Sequence, residues 1–244
     1  QEYTRSNSWD GRFRLEWRPD SVWNIMLRPN FRLSKSDGQV VSSSAAYNAD
    51  PYETVDDPLS TAAIAQLKGL GLMVNTQRNM TISYGNTTAL GAMLQVNRKL
   101  SSNGRNVTLR TDANYNNSDS KTFSTQDIQY FQLQDALGND STYRAYRYNL
   151  MPTKSWDYAL QATYSEPIAR KTYLQFSYQF KYGFSKSDRD TYDLSALPSG
   201  TFGSLKPAYR SWDNYLGLLT NPLGNYLDNN LSRNSEYRTY THDM

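Results

Sequence analysis

Cysteine is absent from the 244 residues, and histidine occurs once, at His242. The first absence excludes a disulfide framework, a thiolate zinc site and a cysteine nucleophile. The second excludes a His-rich metal centre and argues against a Ser-His-Asp triad. No stretch approaches ~18 consecutive apolar residues, so no transmembrane helix is expected. Neither charge sign dominates: 26 Lys and Arg stand against 23 Asp and Glu, a net charge of +3. The arginines are interleaved with acidic residues, so there is no basic stripe for nucleic acid. Mean hydropathy is low, at -0.77, as in a polar or disordered chain. Aromatic residues nevertheless make up 14%, with 20 Tyr, 8 Phe and 5 Trp, and disordered segments are poor in aromatics. A polar chain rich in Tyr must segregate its apolar groups finely, and strand alternation does this.

The dominant pattern has period two. From Ser8 to Arg18, the residues Trp9, Gly11, Phe13, Leu15 and Trp17 alternate with Asp10, Arg12, Arg14, Glu16 and Arg18. The two faces of a strand produce this segregation and a helix does not. Pro19-Asp20 is turn chemistry. A second run, Ser21 to Ser34, puts Trp23, Ile25, Leu27, Pro29, Phe31 and Leu33 on one face, so a hairpin is predicted. Pro29 cannot donate to a ladder and marks an expected bulge. Runs three and four, Thr88–Lys99 and Arg105–Asn117, flank Ser101-Ser102-Asn103-Gly104, and Asn-Gly is a strong hairpin signal. Runs five and six, Trp156–Ser165 and Thr172–Lys186, flank Glu166-Pro167-Ile168-Ala169-Arg170. A seventh begins near Tyr237.

Three polar stretches, roughly 35–86, 118–155 and 187–234, separate the hairpins and are read as long loops. Within them, Thr61–Lys68 is a candidate short helix stopped by Gly69. Phe123–Gln134 and Thr142–Asn149 are candidate continuations of strands. Connections then alternate between short and long, as they do in a transmembrane β-barrel with tight periplasmic turns and long outer loops. The Arg, Asn, Gln, Asp and Lys opposite the apolar faces suit a wet lumen and not a packed core. Spanning strands need ~9–11 residues; runs one, three, four and five match, and runs two and six should project beyond the bilayer. The chain begins at Gln1 and stops just after Tyr237–Tyr240, so it is expected to be an excerpt of a longer protein, 1–244 forming part of one barrel domain.

Trp17-Arg18-Pro19-Asp20-Ser21, followed by an alternating strand, resembles the hairpins of a Gram-negative outer-membrane β-barrel family related to the TonB-dependent receptors and abundant in Bacteroidetes-type bacteria. Tyr164-Ser165-Glu166-Pro167-Ile168 is similar to a turn of that family. So are Asn97-Arg98-Lys99-Leu100 before Asn103-Gly104-Arg105, and Tyr237 to His242. The resemblance implies a barrel that takes up a nutrient across the outer membrane, together with a plug, an energy-coupling segment contacting TonB and further strands.

Few residues invite a chemical role. Asp50, Glu53, Asp56 and Asp57 could hold calcium, but their spacing fits no EF-hand, and a solvated acidic loop is the preferred reading; Asp188, Asp190 and Asp193 are read likewise. Tyr47, Tyr52, Trp212, Tyr215 and Tyr226 could stack on a sugar ring or pack the loops on themselves. Trp9, Trp17, Trp23, Trp156 and Phe184 fit an interfacial girdle. His242 has no nucleophile near it in sequence and reads as a strand-face residue. The sequons at Asn79 and Asn86 carry little meaning in a bacterial protein.

The reading is therefore an all-β chain: an antiparallel up-and-down transmembrane β-barrel segment of about seven strands with long extracellular loops. Its expected function is nutrient import across the outer membrane of a Gram-negative bacterium, with membrane lipid and an unidentified nutrient as partners. No enzymatic activity, cofactor or metal is expected. The alternative is a soluble all-β glycan-binding module using loop Tyr and Trp. The barrel reading predicts the turns at 18–21, 100–104 and 166–171 on one rim, and Leu15, Leu27, Phe31, Leu94, Leu109, Leu160, Phe176 and Phe180 exposed.

Overall fold

A computed structural model describes residues 1–169, 172–198, 201, 219 and 221–244. The strands are β1 (Glu2–Arg12), β2 (Leu15–Trp17), β3 (Trp23–Tyr47), β4 (Met73–Lys99), β5 (Asn106–Gln134), β6 (Asp140–Ala169), β7 (Thr172–Asp193) and β8 (Arg233–Asp243), with one helix, α1 (Thr61–Gly69). All eight strands belong to one open antiparallel sheet, ordered β1-β3-β4-β5-β6-β7-β8, with β2 beside β3 below β1. Neighbours in space are neighbours in sequence, as expected. Among the described residues no helix is long and apolar enough to cross a membrane.

The connections 18–22 and 100–105 and the paired ends of β6 and β7 lie at one rim, because Trp23 pairs with Arg98, Lys99 with Asn106, Asn106 with Ser165 and Ala169 with Thr172. Arg170 and Lys171 themselves lie outside the described residues. In the first turn the Asp20 Oδ1 accepts the amides of Val22 at 2.7 Å and Trp23 at 2.9 Å. Arg-Pro-Asp-Ser thus turns the chain by pairing a proline-fixed φ with an aspartate that satisfies two amides. Gly104 has φ +100 in the second turn, a conformation that Gly adopts without steric cost.

The opposite rim corrects the expected loops. β3 runs on to Tyr47 and β4 begins at Met73, so the first connection is only 48–72. The second expected loop is no loop: β5 and β6 continue to a tight turn over 135–139, where Asp135 accepts the amides of Leu137 and Asn139 and Gly138 has φ +80. Polar residues on both faces hide a strand from a hydrophobicity pattern, while the backbone pairing continues regardless of side-chain polarity. The third connection spans 194–232. α1 is capped by Ser60, whose Oγ accepts the Ala63 amide at 3.3 Å. The left-handed residue after it is Gly71 (φ +72), not Gly69, and supplies the glycine stop common after helices.

Pro29 produces no bulge. Arg12 pairs with Asn30 and Leu15 with Leu27, so the register is unbroken across it. Phe13 donates its amide to the Pro29 carbonyl at 3.0 Å, but proline has no N–H to return. One missing bond divides a single strand line into β1 and β2.

The two faces keep their character across the sheet. Leu15, Leu27, Leu94, Thr111, Leu160, Phe180 and His242 share one rung. Rungs from Trp23–Arg98 to Phe31–Leu90 carry the apolar band. Beyond Leu33, Lys35 pairs with Asn86, and Asn86 with Asp119, which ends it. The band is bare: Leu15 and Phe176 are each 60% exposed, Leu94, Leu109 and Leu160 are exposed, and Leu27, Phe31 and Phe180 are half-buried. An uncovered apolar belt this wide is foreign to ordinary soluble monomers. Gly11 fits beneath the Phe31 ring, which stands where a Cβ at 11 would lie 2.2 Å from it.

The packed core lies elsewhere, on the same face beyond the band. Ile82, Phe123, Tyr148 and Tyr192 form one rung. Leu194 and Leu197 are buried against them, and Leu219, Leu223 and Tyr226 pack alongside. Phe123 is 1% exposed, and its burial contributes about 1.5–3 kcal/mol.

Candidate functional site

The face opposite the band forms a polar wall. Neighbouring strands link their side chains along it: Asn97 donates to Thr108 at 2.7 Å, Asn114 to Asp157 at 2.7 Å and Gln161 to Ser177 at 3.2 Å. Arg110 reaches Asp112 at 2.8 Å, and Arg14 and Arg18 both pair with Glu16. These exposed pairs contribute little stability; they hold a hydrated, charge-balanced surface. Higher up, Thr87 bonds Ser118 and Thr153 bonds Ser187, at 3.2 and 3.3 Å. Gly91 gives room for Asn30 and Asn114, whose amide atoms stand 2.8 Å from where its Cβ would be.

A cleft of about 760 Å³ opens at the far rim, on the face that carries the apolar band. Its floor is the rung Ser43–Arg78–Asp127–Arg144. The rung above brings Thr76, Gln129 and Thr142, and Leu59 and Ile64 come from the first connection. Asp127 faces arginines on both sides, yet its carboxylate lies 3.5 Å from Arg144 and accepts the Tyr146 hydroxyl at 2.8 Å. Arg144 also donates to the Leu197 carbonyl at 3.3 Å. Burial, and then the bond to Asp127, push the Tyr146 hydroxyl up to about 12. Arg78 is exposed and has no ion-pair partner among the described residues. At one margin Lys68 Nζ meets Asp140 at 2.5 Å and Gln129 adds a bond at 2.9 Å. Lys68 first, then Gln129, hold the Asp140 carboxyl below its ordinary range despite opposing desolvation.

The residues singled out in sequence have local duties. Asp50 accepts the Tyr52 amide at 2.9 Å, and Asp57 accepts that of Leu59 at 3.2 Å. Glu53 and Asp56 bring no third ligand, and among the described residues no three acidic or histidine side chains gather as a cation site. Asp188 pairs with Lys186 at 3.4 Å, Asp190 shares its face, and Asp193 accepts the Ser195 amide at 2.9 Å. Tyr47 donates to the Pro58 carbonyl at 3.1 Å and Tyr226 packs on the core, so both are used within the loops. Tyr52 is exposed; Trp212 and Tyr215 lie outside the described residues. Trp156 stacks on Phe184 at 4.1 Å, Arg98 covers Trp23 at 4.8 Å, and Trp9 and Trp17 stand exposed. His242 Nδ1 lies 2.8 Å from the Tyr178 hydroxyl on the apolar face. The sequon residues Asn79 and Asn86 lie within β4. Arg78, Asp127, Gln129 and Arg144 carried no sequence signal of a site, since only strand register brings them together. The chain matches no protein-family model and no curated protein.

Proposed function

We propose that the chain is part of the wall of an outer-membrane β-barrel, a TonB-dependent-receptor-like transporter that binds a nutrient and passes it across the outer membrane. The observation that carries this reading is the exposed apolar band, followed in register from β1 to β7, with a hydrated polar face behind it. A lipid bilayer covers such a band, and the polar face suits a water-filled lumen. The band runs from Trp23 to Leu33 on β3, close to the ~9–11 residues of a spanning strand. Its edge strands, β1 with β2 on one side and β8 on the other, have unpaired backbone groups that lipid does not tolerate. Further strands would satisfy them by closing the barrel. Plug movement driven through TonB enters from the resemblance of the turn motifs.

Residues 1–244 contain no cysteine, so once any cysteine elsewhere in the full-length protein is replaced by serine the test is direct. Single cysteines replace Leu27, Leu94 or Leu160 on one face and Arg28, Gln95 or Gln161 on the other, in the full-length protein in outer-membrane vesicles. Probes at the first three positions should be quenched by lipid-borne quenchers, and the second three should react with water-soluble maleimides. Equal behaviour of the two sets overturns the membrane assignment.

A further inference from the structure

We propose that the far-rim cleft is a binding site for a small organic oxyanion, a carboxylate or phosphate on a short aliphatic body, placed on the outside of the barrel wall and off the transport path. The placement rests on the membrane reading; the binding chemistry does not. Arg78 shares its face with Leu94, Asp127 with Leu109 and Arg144 with Leu160, because each pair is separated by an even number of residues along one strand. The floor of the cleft thus belongs to the lipid-facing side and not to the polar wall. Its height puts it beyond the reach of phospholipid headgroups. From Thr88, at the end of the band, to Arg78 is a rise of ~33 Å along the strand at ~3.3 Å per residue. That is ~25 Å along the barrel axis at a tilt of ~40°. The headgroup region adds only ~6 Å on each side of the hydrocarbon. We take the occupant to be a solute of the surrounding solution.

The residues set its chemistry. Asp127 is already engaged by Arg144 and Tyr146, so the cleft retains the charge of Arg78. A guanidinium matches carboxylate and phosphate with paired donors. Thr76, Gln129 and Thr142 add hydroxyl and amide groups beside it, while Leu59 and Ile64 offer aliphatic wall. At about 760 Å³ the cleft falls within the range that holds small ligands, ~300–1,000 Å³.

The test is calorimetric titration of the full-length protein in lipid nanodiscs with hexanoate, hexyl phosphate, inorganic phosphate and hexanol. The proposal expects both hexyl acids to bind, the tighter of the two identifying the head group. Hexanol and inorganic phosphate should each bind at least tenfold more weakly. Arg78→Gln should weaken the acids at least tenfold with the circular dichroism unchanged, and Arg78→Lys should restore part of the loss. Hexanol binding as tightly as hexanoate, or an unaltered affinity in Arg78→Gln, overturns the site. Should Arg78→Gln fail to fold, the salt dependence of the native protein decides: hexanoate affinity falling between 50 and 500 mM NaCl supports the site, and a constant affinity overturns it. If the protein stays monodisperse without lipid, the same titrations run in buffer. The membrane reading then falls, while binding is read independently.

Discussion

Phe13 and Pro29 face each other across the first hairpin at a position where an antiparallel pair exchanges two hydrogen bonds, yet they share one: the Phe13 amide donates to the Pro29 carbonyl at 3.0 Å and nothing returns. Pro29→Ala supplies the missing N–H. The new bond contributes about 0.5–1.5 kcal/mol, and the greater freedom of the unfolded chain offsets about 0.4–1 kcal/mol. Overall stability should therefore change by less than about 1 kcal/mol. The informative measurement is hydrogen exchange, in which the new amide at position 29 should be protected like its neighbours in β3. Rapid exchange there would show that something other than the proline divides β1 from β2.

Asp20 holds the first turn through two amides. Asp20→Ala leaves both to water, at a cost of about 1 kcal/mol, and Asp20→Asn should recover most of it because its side-chain oxygen remains an acceptor. Denaturant titration of refolded protein checks the order wild type, Asn, Ala.

Leu94 and Gln95 are adjacent and point to opposite faces. In lipid, Leu94→Arg should cost about 2–4 kcal/mol near the middle of the band, whereas Gln95→Arg should lie within about 0.5 kcal/mol of wild type. Folding titrations into lipid vesicles measure both. Equal costs at the two positions would contradict a lipid-facing band.

Two groups at the far rim give opposite pH limits. Tyr146 has its folded-state value raised to about 12 from 10.0. Its contribution is complete below pH 10 and is lost between pH 10 and about 12, on the order of 2 kcal/mol. Tyr146→Phe should remove this alkaline loss. Asp140 is depressed below its ordinary 3.8, so its contribution is present above that value and is lost as pH falls through the lower folded-state value. Exchange of the α1 amides should accelerate in acid, and Lys68→Met should abolish that dependence.

Alternation alone marked the seven strand lines, the two faces and the short turns. A spanning strand repeats a strong chemical contrast every second residue, as Trp9 to Arg18 and Leu174 to Ser185 do, and the two faces of a strand translate that contrast directly into geometry. The upper halves of β3 and β4 were not legible, and those of β5 and β6 were legible only in part, as the continuations Phe123–Gln134 and Thr142–Asn149. Ser42-Ser43-Ser44 against Arg78 and Asn79, or Ser118 to Lys121, has polar residues on both faces, and the bonds that make it strand belong to backbone partners distant in sequence. The same holds for the core and the cleft. Ile82, Phe123, Tyr148 and Tyr192 become one rung, and Arg78, Asp127 and Arg144 another, only when the register of β4, β5, β6 and β7 is set. A one-residue slip would move each to the opposite face. Local sequence determines which way a side chain points relative to its neighbours; pairing across the sheet determines what it meets.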